Sequence, residues 1–181
     1  MKRKRKAIYV NYLTVLFTLI YGMKALDGSC VTYMSEELMN ALSCSTAQYS
    51  ALSSIYYLSY STSCIVVGLI TARVARRKIL IVPMTLMTGL ISLATSQVTT
   101  YTGLALCRFF TGFFQGGSFS IMLAILAKSL VKDDYGRRNG TINLGSSIIS
   151  TLIGPFLFSY MALNHQWNTA YYITGPIIAA L

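Results

Sequence analysis

Of the chain's 181 residues, 54% are hydrophobic and only 11% are charged, where a soluble domain carries about a quarter charged residues. The mean hydropathy of +0.57 and the recurrence of apolar runs near 20 residues, each long enough to cross a bilayer core of roughly 30 Å, exclude an ordinary soluble domain. A net charge of +10 would suggest a nucleic-acid partner in a soluble chain, but its placement argues against one.

Thirteen of the fifteen basic residues fall in three clusters, MKRKRK at the start, RVARRK at 73–78 and KSLVKDDYGRR at 128–138. These alternate with connecting segments that hold no base. That is the positive-inside pattern, and it puts the N-terminus and both basic loops in the cytoplasm, with anionic lipid contact as a side effect. The first apolar run exceeds a signal-peptide core and no small-residue cleavage site follows it, so it reads as an uncleaved span.

In chain order, hydropathy gives spans at about 8–26, 49–70, 79–94, 103–127 and 141–163, and an incomplete sixth at 169–181. The expectation is an all-α, multi-pass membrane protein whose last helix is truncated. Between the first two spans, SEELMNAL predicts a short amphipathic helix. Pro83 falls in the first turns of span three, where a missing N–H costs least. Cys30 and Cys44 lie in or near the first outer loop. A disulfide between them is chemically allowed outside the cytoplasm, but four small apolar thiols are the simpler reading.

Span four, ALCRFFTGFFQGGSFSIMLAILA, places a guanidinium in hydrocarbon, at a cost of about 2.5–3.5 kcal/mol on lenient scales. Arg108, Gly112, Gln115, Gly116 and Phe119 share one helical face. Gly112 and Gly116 form a small-xxx-small pair for close helix approach. The stripe suits the wall of a polar cavity; outward snorkelling of Arg108 is the competing reading. Span two carries Ser50, Ser53, Ser54, Tyr57, Tyr60, Ser61, Cys64 and Gly68 on one side, either lining a polar path or joining helices. Span one aligns Thr14, Thr18, Tyr21 and Lys24. Lys24 could bind a ligand, pair with Asp27 or snorkel. His165 is the lone histidine and lies in a turn, so no catalytic or metal constellation stands out, and no cofactor is expected.

These motifs together resemble the major facilitator superfamily. GLITARVARRKIL is similar to its loop between spans two and three: Gly68 matches the leading glycine, Arg73 the arginine, and Arg76 with Arg77 the basic pair. Ala72 replaces the usual aspartate and Ala75 the second glycine. Arg108-xxx-Gly112 matches the span-four motif, Gly145 and Gly154-Pro155 the glycine-rich fifth helix, and QWNTAYYITG the entry to span six. The resemblance implies the N-terminal six-helix bundle of a twelve-helix fold with inverted three-helix repeats, its C-terminal half absent. It also implies a bacterial cytoplasmic-membrane location and a weaker inward gate where Ala72 lacks the acid.

Within the superfamily, YGMK at 21–24, Tyr60, and Arg108 with Gln115 resemble the anion:cation symporters. Met23 and Gln115 stand where that branch has its titrating acids. The resemblance implies a secondary carrier working by alternating access. Lys24, Arg108, Gln115, Tyr21, Tyr57 and Tyr60 would hold a small organic anion, a sugar acid or carboxylate, with a proton or sodium ion as the open coupling partner. A neutral-solute or drug exporter, a transporter-like sensor and an inactive fragment are the alternatives. The other acids, Asp27 among them, are placed in or beside loops.

Overall fold

The computed structural model describes residues 2–74, 77–129, 132–163 and 167–180. All regular structure there is helical: α1 (Lys2–Tyr33), α2 (Ser35–Leu42), α3 (Thr46–Arg73), α4 (Arg77–Thr95), α5 (Tyr101–Ser129), α6 (Lys132–Ile148), a π-helical turn (Ile149–Ile153), α7 (Gly154–Leu163) and α8 (Trp167–Ala180). Among the described residues, four stretches are long and apolar enough to cross a membrane: Ile8–Tyr33, Thr46–Arg73, Tyr101–Ser129 and Asp134–Met161, the last running through α6, the π turn and α7. Ile79–Thr95 is a shorter apolar helix.

Local chemistry sets several boundaries. α2 covers the amphipathic SEELMNAL, with Leu38 wholly buried, and ends at Ser43 in the left-handed conformation. α3 opens on a capping box in which Ser45 and Gln48 satisfy each other's backbone donors. Within the fifth span, Pro155 has no N–H for the carbonyl of Thr151 and its ring crowds that carbonyl. The helix widens into its π turn just before this proline.

α1 continues through Leu26 to Tyr33, so Asp27 and Cys30 lie on a membrane helix and not in a loop. This corrects the placement of Asp27 among loop acids. Burial explains it: both side chains are turned inward, Asp27 with 1% exposure. Cys30 and Cys44 are free thiols, and Cys30 packs against Met34.

Packing is pairwise and close. α3 lies along α5, α4 against α5 and α8, and α1 against α6, the π turn, α7 and α8. Two apolar clusters fill the two ends of the bundle. One gathers Leu26, Val31, Met34, Leu38, Leu52, Leu104 and Phe158 near α2; the other gathers Leu13, Phe17, Val67, Ile121, Ile125 and Ile142 near the basic connections. Between them runs a layer of buried polar side chains, among them Lys24, Asp27, Thr85, Ser92, Gln115, Ser118 and Thr174. Many large apolar side chains face outward, including Leu58, Ile65, Leu69, Leu144 and Phe156, as lipid solvation requires.

Candidate functional site

A cavity of about 390 Å³ lies between α1, α3 and α5, toward the α2 end of the bundle. α1 contributes Tyr21, Lys24 and Gly28; α3 contributes Ser53, Tyr56, Tyr57 and Tyr60; α5 contributes Arg108 and Gln115. All six residues expected to contact a substrate therefore line one space.

Arg108 does not snorkel. Its side chain is 4% exposed, its Nη2 donates to the Tyr171 hydroxyl on α8, and the guanidinium carbon stands 5.7 Å from the centre of the Tyr171 ring. Nε is buried without a hydrogen-bond acceptor. A guanidinium offers five N–H donors in a fixed fork, so a buried donor left unspent is costly unless a ligand or water meets it.

Lys24, 2% exposed, neither snorkels nor pairs with Asp27. Nζ donates to Ser118 Oγ on α5 at 2.7 Å and to Thr85 Oγ1 on α4 at 3.2 Å. Gln115 is held from two sides: its Oε1 accepts from the Tyr56 hydroxyl at 2.7 Å, and its Nε2 donates to the Lys24 carbonyl at 3.4 Å. Tyr21 and Tyr60 meet hydroxyl to hydroxyl at 3.3 Å. Tyr21 also stacks on Phe119 at 5.1 Å, which backs the Tyr21 ring where it lines the cavity. Tyr57 is an open wall residue, 66% exposed, in edge-to-face contact with Tyr56 at 5.1 Å between ring centres.

Two residues escaped the sequence reading. Tyr56 precedes Tyr60 by one turn and fixes Gln115, yet the period chosen for span two ran through its neighbour Tyr57. Asp27 is the second: its Oδ1 accepts from Ser92 Oγ on α4 at 2.6 Å and from Thr174 Oγ1 on α8 at 2.9 Å. Its spacing of three residues from Lys24, on an apolar helix, was the available signal.

The polar face of span two divides. Ser53, Tyr57 and Tyr60 line the cavity, whereas Cys64 donates to the Gly116 carbonyl at 3.4 Å, a helix-joining contact. Ser50 and Ser54 are exposed and bond back to their own helix. Gly112 and Gly116 allow α3 and α5 to touch: a Cβ at Gly112 would collide with the Tyr56 carbonyl, and one at Gly116 with the Tyr60 carbonyl.

Of the loop motif, Gly68 has open space around it, with Ser120 Oγ the nearest atom at 4.0 Å from a built Cβ. Ala72 and Arg73 are exposed at the end of α3. Arg77 begins α4, and Arg76 lies outside the described residues, as do Ala75 and His165. In the fifth span, a Cβ added at Gly154 would stand 3.0 Å from the Tyr33 ring, and Pro155 follows it, half-buried.

Residues 17–181 match the Major Facilitator Superfamily. The chain belongs to that superfamily. It is a multi-pass membrane protein with the helical transporter fold of that superfamily. No curated protein matches it significantly. Among solved structures, it is similar to a bacterial homolog of the human lysosomal transporter Spinster. The inward-facing, occupied form gives a TM-score of 0.77 at 16% identity; the inward-facing, unoccupied form gives 0.72 at 16% identity. Each comparison covers 94% of this chain and 42% of the other, so the chain spans less than half the length of those structures. At such identity the likeness concerns the fold.

Proposed function

We propose that this superfamily member is the N-terminal half of a secondary carrier for a small organic anion, a sugar acid or other carboxylate. A second six-helix half would complete the cavity, and alternating access would move the substrate. The observation that carries the reading is Arg108. It is buried, always charged, placed at the wall of a cavity, and holds an N–H with no acceptor. A carboxylate supplies the missing acceptor and the opposite charge in one group. Lys24 adds a second basic centre, and Gln115, Tyr21, Tyr57 and Tyr60 offer hydrogen bonds suited to hydroxyls. The likeness of Tyr21–Lys24, Tyr60 and Arg108 to the anion:cation symporter pattern supports the same reading. The basic clusters favour a cytoplasmic N-terminus in a bacterial cytoplasmic membrane.

Binding to the purified chain in lipid nanodiscs tests the proposal. Gluconate is expected to raise the melting temperature while glucose does not, and Arg108→Gln is expected to abolish the effect. Truncating a buried, hydrogen-bonded charge costs about 2–5 kcal/mol, enough to remove any millimolar affinity. Equal responses to gluconate and glucose would refute anion selectivity.

One observation favours a neutral-solute carrier instead. Asp27 is buried in the same bundle as Arg108, and in its ionised form it would give the guanidinium a counter-ion there. Under that reading Arg108→Lys retains transport of an uncharged substrate.

A further inference from the structure

The wall that α3 gives the cavity is largely aromatic, and its rings join one continuous run. Tyr57 meets Tyr56 with ring centres 5.1 Å apart and planes inclined by 77°. Tyr56 stands 6.1 Å from Tyr60, Tyr60 6.4 Å from Phe119, and Phe119 5.1 Å from Tyr21. Interacting aromatic pairs have ring centres about 4.5–7 Å apart, so every step of the run qualifies. It ends at the exposed Tyr57, which lines the cavity. A terminal ring has a partner on one side and an open flank on the other, where one more ring can join.

Free hydrogen-bonding capacity is small by comparison. The hydroxyls of Tyr21 and Tyr60 bond each other, and that of Tyr56 donates to Gln115. The Gln115 amide is engaged at both ends, and Ser29 returns its hydroxyl to the Ala25 carbonyl. Lys24 Nζ is turned to Thr85 and Ser118. Arg108 is the lining cation that keeps a donor without an acceptor. A polyol laid against ring faces would leave its own hydroxyls unpaired, and each one taken from water without a partner weakens binding.

We infer that the preferred guest is an aromatic monocarboxylate, its carboxylate on Arg108 and its ring continuing the tyrosine run at Tyr57. The spacing suits such a molecule. Gly112 abuts the Tyr56 carbonyl and follows Arg108 by four residues, about 6 Å along the helix at 1.5 Å per residue, which is the length scale of a benzoate. The volume of about 390 Å³ is near the small end of ligand cavities, about 300–1,000 Å³. Ala25, Val31 and Leu52 add apolar lining. The inference rests on the anion carrier proposed above and narrows its substrate from carboxylates at large to those bearing a ring.

Calorimetric titration of the full chain in lipid nanodiscs, with empty discs as the blank, tests it with four probes: benzoate, cyclohexanecarboxylate, benzyl alcohol and gluconate. The first two share charge and approximate size and differ in the π face. Benzyl alcohol keeps the ring and lacks the charge. Benzoate is expected to bind tightest, ahead of cyclohexanecarboxylate by about 2-fold to 12-fold, the affinity equivalent of one aromatic pair. Tyr57→Ala is expected to erase that lead. Tyr57→Phe is expected to keep it, because the ring and not the hydroxyl carries the contact. Three results overturn the aromatic guest while leaving an anion carrier in place: equal affinity for benzoate and cyclohexanecarboxylate, a lead that survives Tyr57→Ala, or gluconate binding tighter than benzoate. Benzyl alcohol binding as tightly as benzoate removes the carboxylate from both readings. Failure of all three carboxylates to bind overturns both.

Discussion

Gln115 occupies the position where a titrating acid stands in the symporter pattern, and its surroundings suit an amide. One end accepts from a phenol and the other donates to a carbonyl, a polarity that an ionised carboxylate cannot supply because it has no N–H. Tyr56→Phe removes the phenol and leaves the Gln115 oxygen without that donor, at about 0.5–1.5 kcal/mol for a typical hydrogen bond. The expected outcome is a lower melting temperature and weaker gluconate binding, whereas Tyr57→Phe, at an open wall position, changes stability little. Thermal melts of the two variants side by side check this. The residues that matter most here were unevenly legible. Arg108 stood out because its cost in hydrocarbon demands a reason. Lys24 stood out too, but Thr85 and Ser118 lie on other helices, and no periodicity within one helix reveals such partners. Asp27 is hidden from a hydropathy reading because its charge interrupts the apolar run, whereas the helix continues to Tyr33 and buries it.

Between elements, glycine placement decides how near two backbones come. At Gly112 and Gly116 the neighbouring atoms include α3 carbonyls, beside the Ser59 hydroxyl at Gly112, and a carbonyl cannot move aside as a side chain can. Substitution by alanine at either site therefore forces α3 from α5 along the cavity wall. Overpacking of this kind costs about 1–3 kcal/mol. Gly68, by contrast, has room for a Cβ, and Gly68→Ala is expected to leave the melting temperature unchanged or raise it by removing a helix-interior glycine. Melting of the three alanine variants in nanodiscs distinguishes these effects. The small-xxx-small spacing made the α5 contact readable in advance. The partner helix was not readable, because spacing identifies a face and not what covers it. The π turn was likewise hidden: Gly154-Pro155 marks a break, but which way the helix relieves it depends on the packing of Ile149 against α1, where a Cβ at Gly22 would stand 2.6 Å from its Cδ1.

The whole bundle carries an order that the sequence does not display. Number the six spans in turn, with α1 first, α3 second, α4 third, α5 fourth, α6 to α7 fifth and α8 sixth. Contacts of the second and third with the fourth are mirrored by contacts of the fifth and sixth with the first, and the third meets the sixth. Exchanging one with four, two with five and three with six leaves these five principal pairings unchanged, as an inverted repeat of three helices would. Side-chain identities have diverged past recognition by eye while the pairings persist. The basic clusters predict that the chain's first residues and the 73–78 segment share one side. Single cysteines introduced at Lys4 and Gln97, in a background lacking the native thiols, are expected to react with an impermeant reagent from opposite sides of intact cells, Gln97 from outside. Labelling of both from the same side would contradict the charge rule.

The seam between α4 and α8 has a consequence for motion. A Cβ at Gly89 would lie 2.7 Å from the Ala179 backbone nitrogen and 2.8 Å from the Gly175 carbonyl oxygen, so no acyl chain can wedge between these helices. The two helices thus form a closed seam, and a rearrangement that preserves their backbone contact would leave it shut.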